Sequence, residues 1–430
     1  MKSAVETLIA ELDKSQWWTK EQLQANQERQ LVSLLRHHAN HNPYFQQRLA
    51  EQELKFGALG TLSGLTKLKP FTKQDIQAAG TNFTSRQIPP THAPLSLGET
   101  SGSTGTPVKI KKTRVNEIYW HAHTIRDHQW YNRDYLSRLA AVRATFRTLQ
   151  SANDWGAPVS ALYGSGPGIG IPVITPLPEQ NKLLTEFQPN ILTVHAGVLQ
   201  GLVTLWEREG CNLTNLTHIK NVGDTLHDDL RERVQNLLGL IIEDNYSSSE
   251  VGCIGIQCPT SGLHHVMAEN LIVEILDAND NACKPGEIGR VVVTDLNNLV
   301  SPIIRYDLGD YAEVGESCTC GRHLPTLTRV LGRERNLFVK PDGSQIWPQG
   351  GYRSASKVVK VRQWQLIQHT PTKIEQRVVT DAPLTAEQEQ ALVDNIKKVY
   401  DFVTDVQVTR FENQIPTVNG KYEETICLVE

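Results

Sequence analysis

The sequence lacks several features that would each have pointed to a definite class of protein. No apolar run approaches the ~18 residues of a membrane-spanning helix, and residues 1–15 contain no apolar stretch of the kind found in a secretory signal. A cytosolic location is therefore the default expectation. There is no surplus of charge of either sign. The formal net charge is −4, which gives no reason to expect a nucleic acid or an anionic membrane as partner. The cysteines do not form an even set; seven of them argue against a disulfide framework. No internal repeat and no low-complexity segment is visible.

What is present is enough chain, 430 residues, for two or more domains with a large core. The first ~55 residues have the spacing and propensity of helices, broken at Pro43. They carry three clustered histidines, His37, His38 and His41. No nearby cysteine or carboxylate completes a metal set, so these read as solvated helix-end residues. Between residues 89 and 331 short apolar runs alternate with helical stretches and turns. Strands are expected at 191–195, 219–222 and 240–244, with helices at 199–209 and 228–238 between them. Such alternation argues for a mostly parallel sheet covered by helices. After Glu269 the pattern becomes hairpin-like, with strands at 271–276 and 289–295. The last ~100 residues read as a small α+β unit. Strands are expected at 363–369, 374–380 and 406–411, and a helix opens at Thr385 with the capping-box pattern Thr-Ala-Glu-Gln.

The most informative segment is Thr100-Ser101-Gly102-Ser103-Thr104-Gly105-Thr106-Pro107, seven of whose eight residues are Thr, Ser or Gly. Glycines allow close backbone approach, and hydroxyls and N–H groups supply hydrogen bonds, so such a loop can wrap a polyphosphate. No Gly-Lys-Ser/Thr closes it, which excludes a Walker A loop. A flexible linker is the bland alternative on composition alone. The order Thr-Ser-Gly-Ser-Thr-Gly-x-Pro nevertheless resembles the phosphate loop of the adenylate-forming superfamily of acyl-CoA synthetases, peptide-synthetase adenylation domains and luciferases. Further motifs follow in that superfamily's order. Asp244-Asn245-Tyr246-Ser247-Ser248-Ser249-Glu250 matches its aromatic–small–x–Thr–Glu motif, with Ser249 for the usual Thr. Arg305-Tyr306-Asp307-Leu308-Gly309-Asp310 matches Tyr-x-x-Gly-Asp, and Gly332-Arg333 its hinge. Asn419-Gly420-Lys421 matches its C-terminal lysine loop.

The resemblance covers nearly the whole chain and implies roles. Thr100, Ser101, Gly102, Ser103, Thr104 and Gly105 would hold the ATP phosphates. Gly223 and Asp224, with Asp244 through Ser249, would line the adenine and acyl pockets. Glu250 would bind Mg²⁺, Asp310 the ribose hydroxyls, and Lys421 would be catalytic, with Arg333 at the hinge. The acyl pocket would draw on residues 163–170, Asp224 and Tyr246. The implied fold class is α/β: a large N-terminal α/β domain, residues 1–332, with mostly parallel sheets and a β-rich subdomain. A small mobile α+β domain, residues 333–430, would carry the lysine.

Within the superfamily the chain looks like the phenylacetate–CoA ligase group and its CapK-type relatives, in which a zinc site is common. Cys258, His264, Cys318 and Cys320 would make a closed Cys₃His set of structural type, with Cys253 and His265 as the nearest competitors. Four departures stand out, one being Arg335-Asn336 where the hinge commonly has an acidic pair. Lys109 falls two residues after Pro107, Gly223-Asp224 replaces the usual Gly-Glu, and residues 339–348 are closer to the CapK type. The expected activity is ATP-dependent formation of an acyl-adenylate and transfer to CoA, with an aromatic acid favoured. The alternatives are transfer to a carrier-protein thiol or an amine, AMP transfer to a target, or an inactive zinc-stabilised binding protein. Homodimers are common in the branch.

Overall fold

The computed structural model describes residues 2–99, 108–333, 336–348, 352–412, 415 and 424–429. The expected phosphate loop, Thr100 to Gly105, and Lys421 lie outside the described residues. The chain forms two compact units. The first comprises Met1–Leu139, Ser151–Gly168 and Glu243–Leu331, and the second Ala140–Gln150, Ile169–Ile242 and Gly332–Glu430. No described helix is long and apolar enough to cross a membrane.

The first unit opens with helices whose limits follow local chemistry. Thr19 caps Lys20–His41 in a reciprocal box with Gln22, satisfying two backbone donors that the helix start would leave open. Asn42 closes that helix and caps the next, Pro43–Glu51, its side chain accepting the Phe45 N–H. Pro43 sits where its missing N–H costs nothing. Leu31, Leu34 and Leu35 pack with Phe45, Leu49 and Leu59 in one apolar cluster. His38 lies one turn beyond Leu34 and Leu35, on the same stripe, and is fully buried. It is therefore not a solvated helix-end residue: its Nδ1 faces Ser85 Oγ at 3.2 Å and its Nε2 the Asn298 carbonyl at 3.0 Å.

The first unit's strands run in the spatial order Leu271–Leu276, Ile288–Asp295, Tyr306–Val314, Thr326–Arg333, His264–Val266, Gly252–Gln257 and Ile242–Ser248. The hairpin read from sequence is present, pairing Leu271 with Asp295 through to Leu276 with Arg290. Strand Gly252–Gln257 is buried at every position, because it is flanked in the sheet by Ile242–Ser248 on one side and His264–Val266 on the other.

The second unit contains the strand–helix–strand alternation. Ile191–Val194 pairs in parallel with His218–Val222, and Ala196–Glu209 and Asp228–Leu238 are the intervening helices. Leu192, Val194, Leu199, Trp206, Ile219 and Val234 fill this core. The C-terminal segment has a core of its own, built on Phe338, Trp364, Leu366, Leu392 and Tyr400. There Val361–Thr370 and Lys373–Thr380 are antiparallel, and Asp405–Phe411 adds in parallel. Helix Ala386–Val399 starts at Thr385 with both capping-box bonds to Gln388 formed.

Candidate functional site

In the first unit the two stems of the glycine-rich loop are strands Ser96–Glu99 and Lys109–Lys112, paired from Ser96 opposite Lys112 to Glu99 opposite Lys109. Gly98 is required there: a Cβ would lie 2.6 Å from the Ser249 carbonyl and 3.1 Å from Lys112 Cε. The stems thus press directly on the turn that carries Glu250. That glutamate is 3% exposed, and the Ser249 hydroxyl donates to its Oε2 at 3.2 Å. A buried carboxylate at a strand end is a fixed oxygen donor of the kind a hard cation needs.

Asp310 lies within strand Tyr306–Val314 and not on a surface turn. It is 7% exposed, and the Tyr246 hydroxyl donates to its Oδ2 at 2.8 Å. Two expected motifs 64 positions apart therefore meet through one hydrogen bond. It orients the carboxylate within the sheet. Asp307 prepares the bend before it, accepting the Gly309 N–H at 2.9 Å, while Gly309 takes a φ of +70°.

Asp244 and Asn245 lie on the same strand as Tyr246, Ser247 and Ser248. Asp244 N–H donates to Gln257 Oε1 at 3.0 Å, and its Oδ2 stands 3.4 Å from His264 Nε2. Two groups escaped the sequence reading. Asp295, 1% exposed, accepts from Asn116 Nδ2 at 2.8 Å and from the Asn297 N–H at 3.0 Å. Burial pushes its carboxyl up to about 6, against the lowering effect of those bonds and of Lys112. Burial in turn pushes the Lys112 amine down, partly opposed by the charges of Asp295 and Glu250. No motif marks either residue.

Tyr163, expected in the acyl pocket, stacks on Tyr135 with ring centroids 5.2 Å apart. It lines a cleft of about 560 Å³ with Glu6, Trp17, Trp130 and Arg322; Tyr246 is not among the lining residues.

In the second unit Gly223 has a φ of +77°, a conformation that favours glycine, and a Cβ there would meet the His195 ring at 3.3 Å. Asp224 follows, its Oδ2 3.7 Å from His195 Nδ1 and its carbonyl accepting from Asn221 Nδ2 at 2.8 Å. His195 was not singled out by sequence. Its place just past the C-terminal end of Ile191–Val194 is the available signal, since ligands in open α/β sheets bind there. Arg333 follows Gly332, whose φ is +106°. Glu424, three residues after Lys421, pairs with His227 Nε2 at 3.2 Å.

The cysteine cluster corrects one assignment. Cys258, Cys318 and Cys320 do converge, but the imidazole that joins them is His265, all four ligand atoms lying within 4.8 Å of one another. His264 points to the opposite face because successive side chains on a strand alternate. Cys253 packs in the apolar core. Cys258 and Cys318 sulfurs are 3.7 Å apart, and His265 Nε2 is 3.3 Å from Cys320 Sγ. Zinc bonds of about 2.3 Å to sulfur and ~2.0 Å to nitrogen in a tetrahedron imply ~3.8 and ~3.6 Å, so the donor set fits. His265 Nδ1 faces the Leu324 carbonyl at 3.5 Å, leaving Nε2 for a metal. Burial raises the Cys258 thiol, but hydrogen bonds from the Ser261 and Thr260 backbones, the Ser261 hydroxyl and Cys318 outweigh it and hold it down at about 7. Burial keeps the His265 ring neutral, down at about 4. Thiolates and a neutral imidazole are the ligand forms zinc requires.

No family model matches the chain. In sequence it is 24% identical over 333 residues to a phenylacetate–coenzyme A ligase of Thermus thermophilus, covering 74% of this chain and 72% of that one. It is 24% identical over 365 residues to a phenylacetate–coenzyme A ligase of Pseudomonas putida, covering 82% and 79%. In structure it is similar to 2-hydroxyisobutyryl-CoA ligase in complex with 2-HIB-AMP, with a TM-score of 0.75 and 16% identity over 96% of this chain and 90% of that one. It is also similar to an anthranilate CoA ligase in complex with anthranoyl-AMP, with a TM-score of 0.56 and 13% identity over 76% and 65%. These structural likenesses establish the fold.

Proposed function

We propose that this chain, a relative of the phenylacetate–coenzyme A ligases with the fold of the adenylate-forming enzymes, activates a carboxylic acid with ATP and passes the acyl group to CoA. The single observation that carries the reading is the Tyr246–Asp310 hydrogen bond of 2.8 Å. It joins two motifs whose implied jobs, lining the adenine pocket and holding the ribose, must be done on one ligand.

In the first half-reaction an oxygen of the substrate carboxylate attacks the α-phosphorus of ATP in line, and pyrophosphate leaves. Such chemistry depends on positioning and on stabilising charge, not on a protein nucleophile. Asp310, oriented by Tyr246, accepts from the ribose hydroxyls. Glu250 would hold Mg²⁺, which when bound neutralises phosphate charge. Thr100 to Gly105 and Lys421 are assigned to the phosphates and to the reacting carboxylate by motif. In the second half-reaction the CoA thiolate attacks the acyl carbonyl and AMP leaves. Cys258, His265, Cys318 and Cys320 would hold a Zn²⁺ of structural type, with no position open to substrate.

The favoured acid is aromatic, a preference supported by the named substrates of the sequence relatives. Carboxylate-dependent ATP–pyrophosphate exchange across aryl, amino and short-chain acids, with and without CoA, tests the proposal. Exchange with an aryl acid and a CoA-dependent thioester are expected. Exchange without thioester would move the acceptor to a carrier protein or an amine. A stable adenylylated macromolecule would replace ligation by AMP transfer.

A further inference from the structure

The nucleotide motif and the cysteine knuckle are edges of one small piece of sheet. Strand Gly252–Gln257 pairs with Ile242–Ser248 on one side and with His264–Val266 on the other. Ile256 is opposite both Asn245 and the metal-type residue His265, and Gly255 is opposite both Tyr246 and Val266. Only two strand spacings, about 10 Å, therefore separate the backbone of His265 from that of Asn245.

Two side chains span this distance. Gln257, the residue before Cys258, accepts the Asp244 N–H at 3.0 Å and donates to the Gly262 carbonyl at 2.9 Å. Gly262 closes the knuckle turn, its own N–H donating to the Cys258 carbonyl at 2.9 Å. One amide thus ties the start of the nucleotide motif to the turn that aims Cys258. Gln257 is fixed from behind, since its carbonyl accepts from the Tyr131 hydroxyl at 3.0 Å. His264 is the second link. As the neighbour of His265 it must point to the other face, where its Nε2 lies 3.4 Å from Asp244 Oδ2. A Cβ on Gly255 would sit between the Cβ atoms of His264 and Tyr246, at 3.4 and 3.8 Å, so His264 and Tyr246 share that face.

From this arrangement we infer that Gln257 and His264 are positioning residues that couple metal occupancy of the Cys258–His265–Cys318–Cys320 knuckle to the nucleotide pocket at Asp244 to Tyr246. The inference rests on the adenylating reading above. A filled knuckle fixes the turn 258–263 and the row of His265; Gln257 and His264 carry that order to Asp244. Coupling between two binding sites is reciprocal: zinc tightens ATP by the factor by which ATP tightens zinc.

The test uses the zinc-loaded full chain, with ATP as one probe and zinc as the other. Zinc affinity is read from equilibrium competition with a chelator, with and without saturating ATP, and ATP affinity from equilibrium binding. In the wild type ATP is expected to tighten zinc severalfold. Gln257→Met removes both amide bonds and keeps the bulk; it is expected to bind ATP roughly tenfold more weakly, to retain one zinc, and to lose most of the effect of ATP on zinc. His264→Leu should lose a smaller part, and His264→Gln, whose amide can donate to Asp244, should recover it. The KM for ATP in exchange should rise in Gln257→Met while kcat is held. Wild-type ATP affinity in a zinc-loaded Gln257→Met overturns the coupling and leaves the enzymatic reading standing. If Gln257→Met does not fold, the His264 pair decides: equal ATP affinity in Leu and Gln variants overturns it. A wild type that takes up no zinc, or whose zinc affinity ignores ATP, overturns it as well. A wild type that binds zinc but no ATP removes the adenylating reading itself.

Discussion

In the first unit Arg48, Arg126, Arg133 and Arg305 are 4%, 3%, 4% and 1% exposed. Each guanidinium is held by carboxylates or backbone carbonyls: Arg126 by Glu269 and the Leu12 carbonyl, Arg133 by Asp127 and Glu243, Arg305 by Glu274 and two carbonyls. Among the described residues no arginine of the second unit is buried. Several of its ion pairs, such as Arg208 with Asp381 and Arg233 with Glu207, keep at least one partner a third or more exposed, while Arg377 with Glu375 is more enclosed. Buried charges tolerate one geometry, because a lost partner leaves an uncompensated ion in a poor dielectric. Exposed pairs are screened and exchangeable. Replacing an arginine should therefore cost more stability in the first unit than in the second.

The sharpest test of that contrast is Arg133→Met, which strands Asp127 and Glu243 in the interior. Equilibrium denaturation should show a loss of about 3–5 kcal/mol, and a loss under 1 kcal/mol would erase the distinction. Next is Lys421→Ala in the second unit. It should slow pyrophosphate exchange roughly 100-fold, about 3 kcal/mol in the barrier, while thioester formation from supplied acyl-adenylate is largely kept and the unfolding midpoint stays put. Equal loss of both half-reactions would count against a lysine that serves only adenylation.

A third test is acid titration of the first unit. Burial holds His38 down at about 3 in the fold, partly opposed by the Asn298 carbonyl, whereas an unfolded histidine titrates near ~6.5. The unfolded chain therefore binds the extra proton first. The stability tied to neutral His38 is complete above that upper value and is lost as pH falls towards 3, by up to about 1.4 kcal/mol per pH unit. His38→Gln should flatten this slope in denaturation curves taken between pH 4 and 7. The smallest effect belongs to Arg208→Ala, whose pair with Asp381 is half exposed; thermal unfolding should register no more than ~0.5 kcal/mol.

How much was legible in advance divides along the same physical line. Helix Ala386–Val399 was readable because its start is encoded within four residues by Thr385 and Gln388. Helix Asp228–Leu238 was readable from its apolar period between two strands. The roles expected of Glu250 and Asp310 came from motif order, which is itself a sequence property. By contrast, the burial of His38 depends on Ser85 and Asn298 arriving from distant segments, although its i, i+3 and i, i+4 relation to Leu35 and Leu34 was a usable hint. The Asp295–Lys112 neighbourhood had no local signature at all.

The α/β class, the cap and turn chemistry, the motif order that implies adenylation, and the presence of a Cys₃His set are all legible in the order of the residues. The folded sheet brings His265 and not His264 to the thiols, because adjacent strand residues face opposite ways and strand pairing alone selects the face. It alone joined Tyr246 to Asp310 and linked Asp244 to the knuckle through Gln257. Local rules act over about one turn or one strand period, whereas each of those contacts depends on which strands lie side by side.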